Sequence, residues 1–314
     1  MIDSFNREIT YARISVTDRC NLRCAYCMPE CGVEKLKHSQ ILSFEEMEQI
    51  VDSLVELGIN KIRVTGGEPL VRKGVLNFLE YVGKLPQVKT LALTTNGTLL
   101  KGNAEALKRA GVENINISLD TFNQERYAKI TRLGDINEAL SGINEAIKCG
   151  FDTIKINAVL LKGINDNEVQ DFIEFAERYN LEVRFIELMP FTAQSGFASE
   201  YFISASEVLS KCPNLTYLGS IDNSTAEYYL SPNGAKIGFI SSLSNKFCGR
   251  CNRVRVTADG LLITCLHGNQ MYDLRKHIGG NLTEFISDCI MLKPACHHLA
   301  EGVYQNRPMG EIGG

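Results

Sequence analysis

The sequence predicts an α/β protein: an incomplete barrel of six strand–helix units, (β/α)6, followed by a smaller α+β extension. Three observations carry that expectation. Strand-like and helix-like segments alternate from Tyr11 to Met189, and repeated strand–helix units imply parallel strands joined by right-handed crossovers. The strands are apolar on one face only, whereas a doubly wound sheet buries both faces. After Pro190 the alternation stops, and short strands separated by turn signals take over.

Taken in order, the predicted strands are 13–17, 61–65, 90–94, 114–119, 153–160 and 182–188. The predicted helices are 43–57, 73–84, 104–110, 136–148 and 166–179. Ser43 with Glu46 three residues on has the form of a capping box. Gly58, Gly111 and Gly150 stand where helices end on a left-handed residue. Within the strands Arg13, Ser15 and Thr17 alternate with Ile14 and Val16, and Lys61, Arg63 and Thr65 with Ile62 and Val64. The strands at 114–119 and 153–160 repeat the pattern. Successive side chains point to opposite faces, so one face packs under the helices and the other lines something wet. An antiparallel sheet with one solvated face shares the alternation but lacks the interleaved helices.

Residues 191–225 are mixed, and further strands are expected at 228–230, 236–240, 253–256 and 261–265. Pro232-Asn233-Gly234 and Ala258-Asp259-Gly260 are turn signals between them. A helix is expected over 271–291 and a flexible tail over 309–314. The domain division expected is 1–225 for the partial barrel and 226–314 for the extension.

The chain has 314 residues, 44% hydrophobic and 22% charged, as suits a globular protein with a real core. A net charge of -4 speaks against a nucleic-acid partner, while a small anion needs only a local cluster of Lys and Arg. No apolar run is long enough to span a bilayer, and the first residues lack the character of a signal peptide. The expected location is the cytoplasm. Eleven cysteines cannot all pair, and in a reducing compartment they point to metal or redox chemistry. Cys149, Cys212, Cys289 and Cys296 are scattered and read as small buried hydrophobes.

The other cysteines fall into two groups. Cys20, Cys24 and Cys27 form a C-x3-C-x2-C run just after the first strand. Three thiolates on a tight loop suit a [4Fe–4S] cluster and leave one iron open. Cys31 would complete a closed tetrahedral zinc site instead, so zinc is the alternative there. Cys248, Cys251 and Cys265 form a C-x2-C-x13-C group that also supplies three ligands, and His267 keeps zinc open as a fourth-ligand alternative. Between them Arg253 and Arg255 share one strand face. Arg13, Arg63 and Lys155 project toward the same lumen, with Arg184 as a further candidate. Converging cations call for a polyanion such as a triphosphate; the plain alternative is a set of solvated surface charges.

C-x3-C-x-aromatic-C, with Tyr26 in the aromatic slot, resembles the signature of radical S-adenosylmethionine (SAM) enzymes. Thr65-Gly66-Gly67-Glu68-Pro69 is similar to their Gly-Gly-Glu motif, again directly after a strand. With the second cysteine group around Arg-x-Arg and a terminal Gly-Gly, the whole chain resembles the GTP-cyclising family of molybdenum cofactor biosynthesis. The resemblance implies a TIM-like partial barrel, an extension carrying a second iron–sulfur cluster, and two [4Fe–4S] clusters ligated by Cys20, Cys24, Cys27 and by Cys248, Cys251, Cys265. It implies SAM contacts at Tyr26, Gly67, Ser118 and Met189, and GTP contacts at Arg13, Arg63, Thr94, Lys155, Arg253 and Arg255. It implies a tail, Gly313-Gly314, that reaches into the active site. The reaction implied is radical formation from SAM, hydrogen abstraction from the GTP ribose 3′ carbon and closure onto C8 of guanine. The partners implied are GTP, an external one-electron donor, a downstream pterin-forming enzyme and a second copy as a homodimer, with neither nucleic acid nor membrane. A radical SAM peptide-maturation enzyme and a non-enzymatic, zinc-stabilised binding protein are the other readings.

Overall fold

The structure, a computed structural model, describes residues 1–190, 196–221, 224–299, 304–305 and 307–313. Its first half repeats one unit: β1 (Tyr11–Ser15), α1 (Phe44–Glu56), β2 (Lys61–Thr65), α2 (Val75–Gly83), β3 (Thr90–Thr95), α3 (Ala104–Arg109) and β4 (Asn114–Ser118). It continues through α4 (Gln124–Thr131), α5 (Ile136–Cys149), β5 (Thr153–Leu160), α6 (Val169–Tyr179) and β6 (Glu182–Glu187). β1 to β6 pair in sequence order, each parallel to the next. The six parallel strands expected from the alternation are all present, with bounds shifted by at most two residues.

The alternation does what its period requires. Ile14, Ile62, Val64, Ile115, Ile117, Ile154 and Ile156 are buried in the main apolar cluster, beneath helices whose own buried faces include Met47, Ile50, Leu54, Phe172 and Ile173. The capping box of α1 is formed: the Glu46 amide donates to Ser43 Oγ at 3.1 Å, and the Ser43 amide to Glu46 Oε2 at 2.7 Å. α4 was not expected. It is eight residues long, and its signal is confined to the Asn123 cap, which accepts from the Arg126 amide at 3.0 Å.

The second half closes around the barrel from both sides. It contains α7 (Gly196–Tyr201), α8 (Ala205–Leu209), β7 (Thr216–Ser220), β8 (Glu227–Leu230), β9 (Lys236–Ile240), β10 (Arg253–Val256), β11 (Leu261–Ile263), β12 (Tyr272–Asp273), α9 (Leu282–Met291) and α10 (Met309–Ile312). α7, α8 and β7 lie in the stretch read as mixed. β9 joins β6 in parallel and β10 joins β1 in parallel, so one sheet runs β12-β11-β10-β1-β2-β3-β4-β5-β6-β9-β8-β7. Among the described residues no helix is long and apolar enough to cross a membrane.

Two expectations fail here. The helix over 271–291 is instead a short strand, a 3-10 turn at Arg275–His277 and α9. Gly279-Gly280 interrupts it, and Gly279 takes a φ of 77°, which ends helical geometry at low cost only for glycine. The tail is not loose over 309–313: α10 buries Gly310 and Ile312. Gly314 lies outside the described residues.

Candidate active site

The first cysteine group sits on the loop leaving β1. Gly66 and Gly67 hold the next loop against it backbone to backbone: the Gly67 amide donates to the Thr17 carbonyl at 2.7 Å and the Glu68 amide to Arg19 at 2.8 Å. A Cβ on Gly67 would stand 2.4 Å from the Arg19 carbonyl oxygen, so no other residue fits. Glu68 is buried and fully occupied. Its Oε1 accepts from Leu70 N (3.1 Å) and Thr95 Oγ1 (2.9 Å), and its Oε2 from Asn96 N (2.7 Å). That carboxylate therefore ties the ends of β2 and β3 together beneath Cys20. Burial pushes the Glu68 carboxyl up to about 7 against those hydrogen bonds.

The three thiols of this loop line the cavity and act on one another electrostatically. Burial pushes the Cys24 thiol far up, helped by Asp120, Cys27 and Cys20, and pushes Cys27 up to about 12. Tyr26 donates to Asp120 Oδ2 at 2.7 Å, and Asp120 Oδ1 accepts from the Val159 amide at 2.8 Å. The aromatic slot is thus anchored to the ends of β4 and β5. Cys31 is exposed and Cys289 buried; Cys149, Cys212 and Cys296 are half-buried.

The lumen is built in rungs. Strand register places Arg253, Tyr11 and Lys61 side by side across β10, β1 and β2, and Arg255, Arg13 and Arg63 on the rung two residues above. Like charges directly opposite on a sheet repel, so three arginines on one rung are a site that wants an anion. Arg63 donates to Tyr11 Oη (2.6 Å), to the Leu93 carbonyl (2.9 Å) and to Thr94 Oγ1 (3.4 Å). Lys61 and Arg253 flank the Tyr11 ring at 5.2 and 5.4 Å from its centroid. Across the lumen, Lys155 and Arg184 both pair with Glu182, at 2.7 and 2.5 Å, and Tyr228 Oη donates to the same carboxylate at 2.8 Å. Burial brings Lys155 down to about 8, with Arg184 adding to the fall and Glu182 opposing it. Burial likewise lowers Arg13 to about 10 and Arg255 further still.

The second cysteine group lies at the opposite end of this lumen. β10 runs parallel to β1, so Cys248 and Cys251, which precede it, stand at the amino ends of the strands, whereas Cys20 to Cys27 follow the carboxyl end of β1. β11 runs antiparallel to β10 with Ile263 beside Arg255; continuing that register two residues brings Cys265 back level with Arg253. Cys248 and Cys251 both act electrostatically on Cys265. One cavity of about 730 Å³ joins the two ends, and all sixteen residues singled out as metal, SAM or GTP contacts line it, from Cys20 to Cys265.

Comparison with known proteins follows the same division. Residues 14–176 match the radical SAM superfamily model, and residues 181–299 match the Molybdenum Cofactor Synthesis C model. Over its full length the chain is 47% identical to the GTP 3′,8-cyclase of Alkaliphilus metalliredigens (strain QYMF), with both chains covered completely. It is 46% identical to that of Peptoclostridium acidaminophilum, covering 100% of this chain and 98% of the relative. The chain belongs to the radical SAM superfamily, among the GTP 3′,8-cyclases. In fold it also resembles Streptococcus suis SuiB bound to S-adenosylmethionine, with a TM-score of 0.65 at 15% identity over 86% of this chain and 64% of SuiB. The chain thus spans less than two thirds of SuiB. The AdoMet-bound anSMEcpe structure matches 63% of this chain and 54% of its own, with a TM-score of 0.51 at 17% identity.

Radical SAM chemistry uses SAM and an iron–sulfur cluster, and the donor set fits one. Three half-buried thiols that all resist ionisation need cationic charge among them. A polynuclear cluster, with one iron per thiolate, asks for sulfurs spread around a larger body. At the far end burial works against the Cys251 thiolate, but Lys293 and Arg253 bring its pKa below the ordinary value.

The lumen also holds residues that sequence reasoning did not single out. Lys61 carried the right strand parity without being named as a contact. Tyr11 lies two residues before Arg13 on the same face, a signal available in the alternation. Glu182 and Tyr228 are brought to Lys155 only by the pairing of β5, β6, β9 and β8, which one sequence does not display. Of the tail, Met309 and Gly310 line the cavity and the Gly313 carbonyl accepts from Arg255 Nη1, while Gly314 lies outside the described residues.

Proposed function

We propose that this chain converts GTP to (8S)-3′,8-cyclo-7,8-dihydroguanosine 5′-triphosphate, the first step of molybdenum cofactor biosynthesis. One observation carries the reading: two rungs of cations lie in a single cavity between two sulfur triads. The full-length relatives named GTP 3′,8-cyclase supply the substrate. Cys20, Cys24 and Cys27 would hold one [4Fe–4S] cluster and Cys248, Cys251 and Cys265 a second. The clusters and SAM, when bound, supply the electron and the 5′-deoxyadenosyl radical that starts the reaction.

The chain's own residues orient and shield. Tyr26, Gly67, Ser118 and Met189 surround the SAM end, at or just beyond the carboxyl ends of strands where barrel enzymes keep their chemistry. Arg13, Arg63, Arg253 and Arg255 receive the triphosphate, with Thr94 and Lys155 beside them. Arginine's fixed fork suits phosphate oxygens, and fixing the triphosphate holds the ribose close to the radical source. Residues 1–225 supply the SAM end, and residues 226–314 supply the second triad, two of the arginines and the tail. An external one-electron donor, replaced in vitro by dithionite, starts each turnover, and the product passes to a pterin-forming enzyme.

Reconstituted anaerobically and given SAM and dithionite, the protein should form 5′-deoxyadenosine in a GTP-dependent manner, with a cyclised nucleotide as product. A product formed with a peptide and not with GTP would sink this reading in favour of peptide maturation. Arg253→Ala should weaken GTP use at least tenfold in KM, about 1.4 kcal/mol, while SAM cleavage persists. Unchanged GTP affinity in that variant would refute the role assigned to it.

A further inference from the structure

Lys293 is a cation that the fold buries without a carboxylate. It follows α9, is 2% exposed, and its ammonium donates to the main-chain carbonyls of Arg253, at 2.9 Å, and Thr264. The first carbonyl lies two residues after Cys251 and the second one residue before Cys265. The ammonium's charge also acts on Cys251 and Cys265. Among the described residues Lys293 forms no ion pair with Asp or Glu.

A neighbouring cation shows the contrast. Arg7 also braces this region, donating to the carbonyls of Cys248 (3.1 Å), Ala295 (3.0 Å) and Pro294 (2.8 Å). Its charge is met by Asp3 at 2.6 Å. Arg7 and Lys293 thus bind the limbs of the second triad into one frame, but only Arg7 has an anion of its own. A buried ammonium with carbonyls alone for company is costly unless an anion stands close. Cys251 and Cys265, two residues and one residue along the chain from those carbonyls, can carry that charge.

We propose that Lys293 is the positioning residue of the second sulfur triad. It ties the Cys251 limb to the Cys265 limb, and its fixed charge favours the reduced, more negative state of the cluster held there. This rests on the reading that the second triad carries a cluster. Charge near the sulfurs is among the factors that set an iron–sulfur potential, and Lys293 supplies it.

The test uses the full chain with Cys20, Cys24 and Cys27 all changed to Ser, so that the second triad alone can bind iron. This parent and its Lys293→Met and Lys293→Arg versions are reconstituted anaerobically with iron and sulfide. Iron content, midpoint potential by EPR-monitored titration and thermal unfolding are then measured. Lys293→Met should either lose the cluster or keep it with reduction disfavoured at least tenfold, about 59 mV for a one-electron couple. Lys293→Arg should retain the cluster, with a potential nearer the parent's. A full complement of iron at an unchanged potential in Lys293→Met overturns the proposal. So does loss of the cluster from the Met and Arg versions alike with lowered unfolding temperature, which marks a general packing role. A parent that binds no iron removes the two-cluster reading itself, and this proposal with it.

Discussion

Burial alone would raise the Tyr11 phenol above its ordinary 10, but Arg63, Arg13, Arg253 and Lys61 together pull it down to about 7. Below that pH the phenol is neutral; above it the phenolate is the anion that answers the two rungs of cations. Phenolate absorbance near 295 nm should therefore rise as pH passes through about 7, and Tyr11→Phe should lose that step while the higher-pH tyrosines titrate as before. Inorganic tripolyphosphate, which does not absorb there, should move the step upward by bringing competing negative charge. A step that stays in place in Tyr11→Phe would remove Tyr11 from this role. At this scale the site was readable wherever chemistry is written in residue type and spacing. Six cysteines in two triads and cations of one strand parity needed no structure. Glu182 did not announce itself: it lies 27 residues from Lys155, and only strand pairing makes it a counter-ion.

The elements most faithful to the sequence are those with a strong period and clear ends. α1 begins at its Ser43–Glu46 capping box, and α5 ends on Gly150 at a φ of 66°. Where local signal and tertiary packing competed, packing won. The terminal segment has little propensity of its own, yet Arg307 pins it to Asp259, with Nη1 and Nη2 at 3.1 and 2.9 Å from the two carboxylate oxygens. Thr257 Oγ1 orients the same carboxylate, and Ile312 is buried behind it. A bidentate, partly buried arginine–carboxylate pair is among the stronger ion pairs. Arg307→Ala should therefore release residues 307–313, and carboxypeptidase should trim that variant faster than the wild type. Equal trimming rates would show that Ile312 and the glycines hold the tail without the ion pair.

At the scale of the molecule, function follows from where the sheet is extended. Six parallel strands leave an open edge at β1, and the chain returns to fill it with β10 in parallel. That choice places Cys248 and Cys251 at the amino ends of the strands, opposite the loop that carries Cys20, Cys24 and Cys27. Had the returning strand run antiparallel, both triads would lie at one end and no lumen would separate them. The sequence displays both triads and both arginines of β10, but the direction of a strand paired across 242 residues (Asn252 to Thr10, for example) is invisible in it. The arrangement predicts that the two ends can be emptied independently. With Cys248, Cys251 and Cys265 changed to Ser, iron should fall from about eight to about four per chain, and dithionite-driven cleavage of SAM should persist without cyclised GTP. With Cys20, Cys24 and Cys27 changed instead, iron should fall by the same amount and SAM cleavage should cease. If either set of changes strips all the iron, or if losing the far triad also abolishes SAM cleavage, the two ends are not separate centres. The lumen would then be one metal site, with no room reserved for a nucleotide between two.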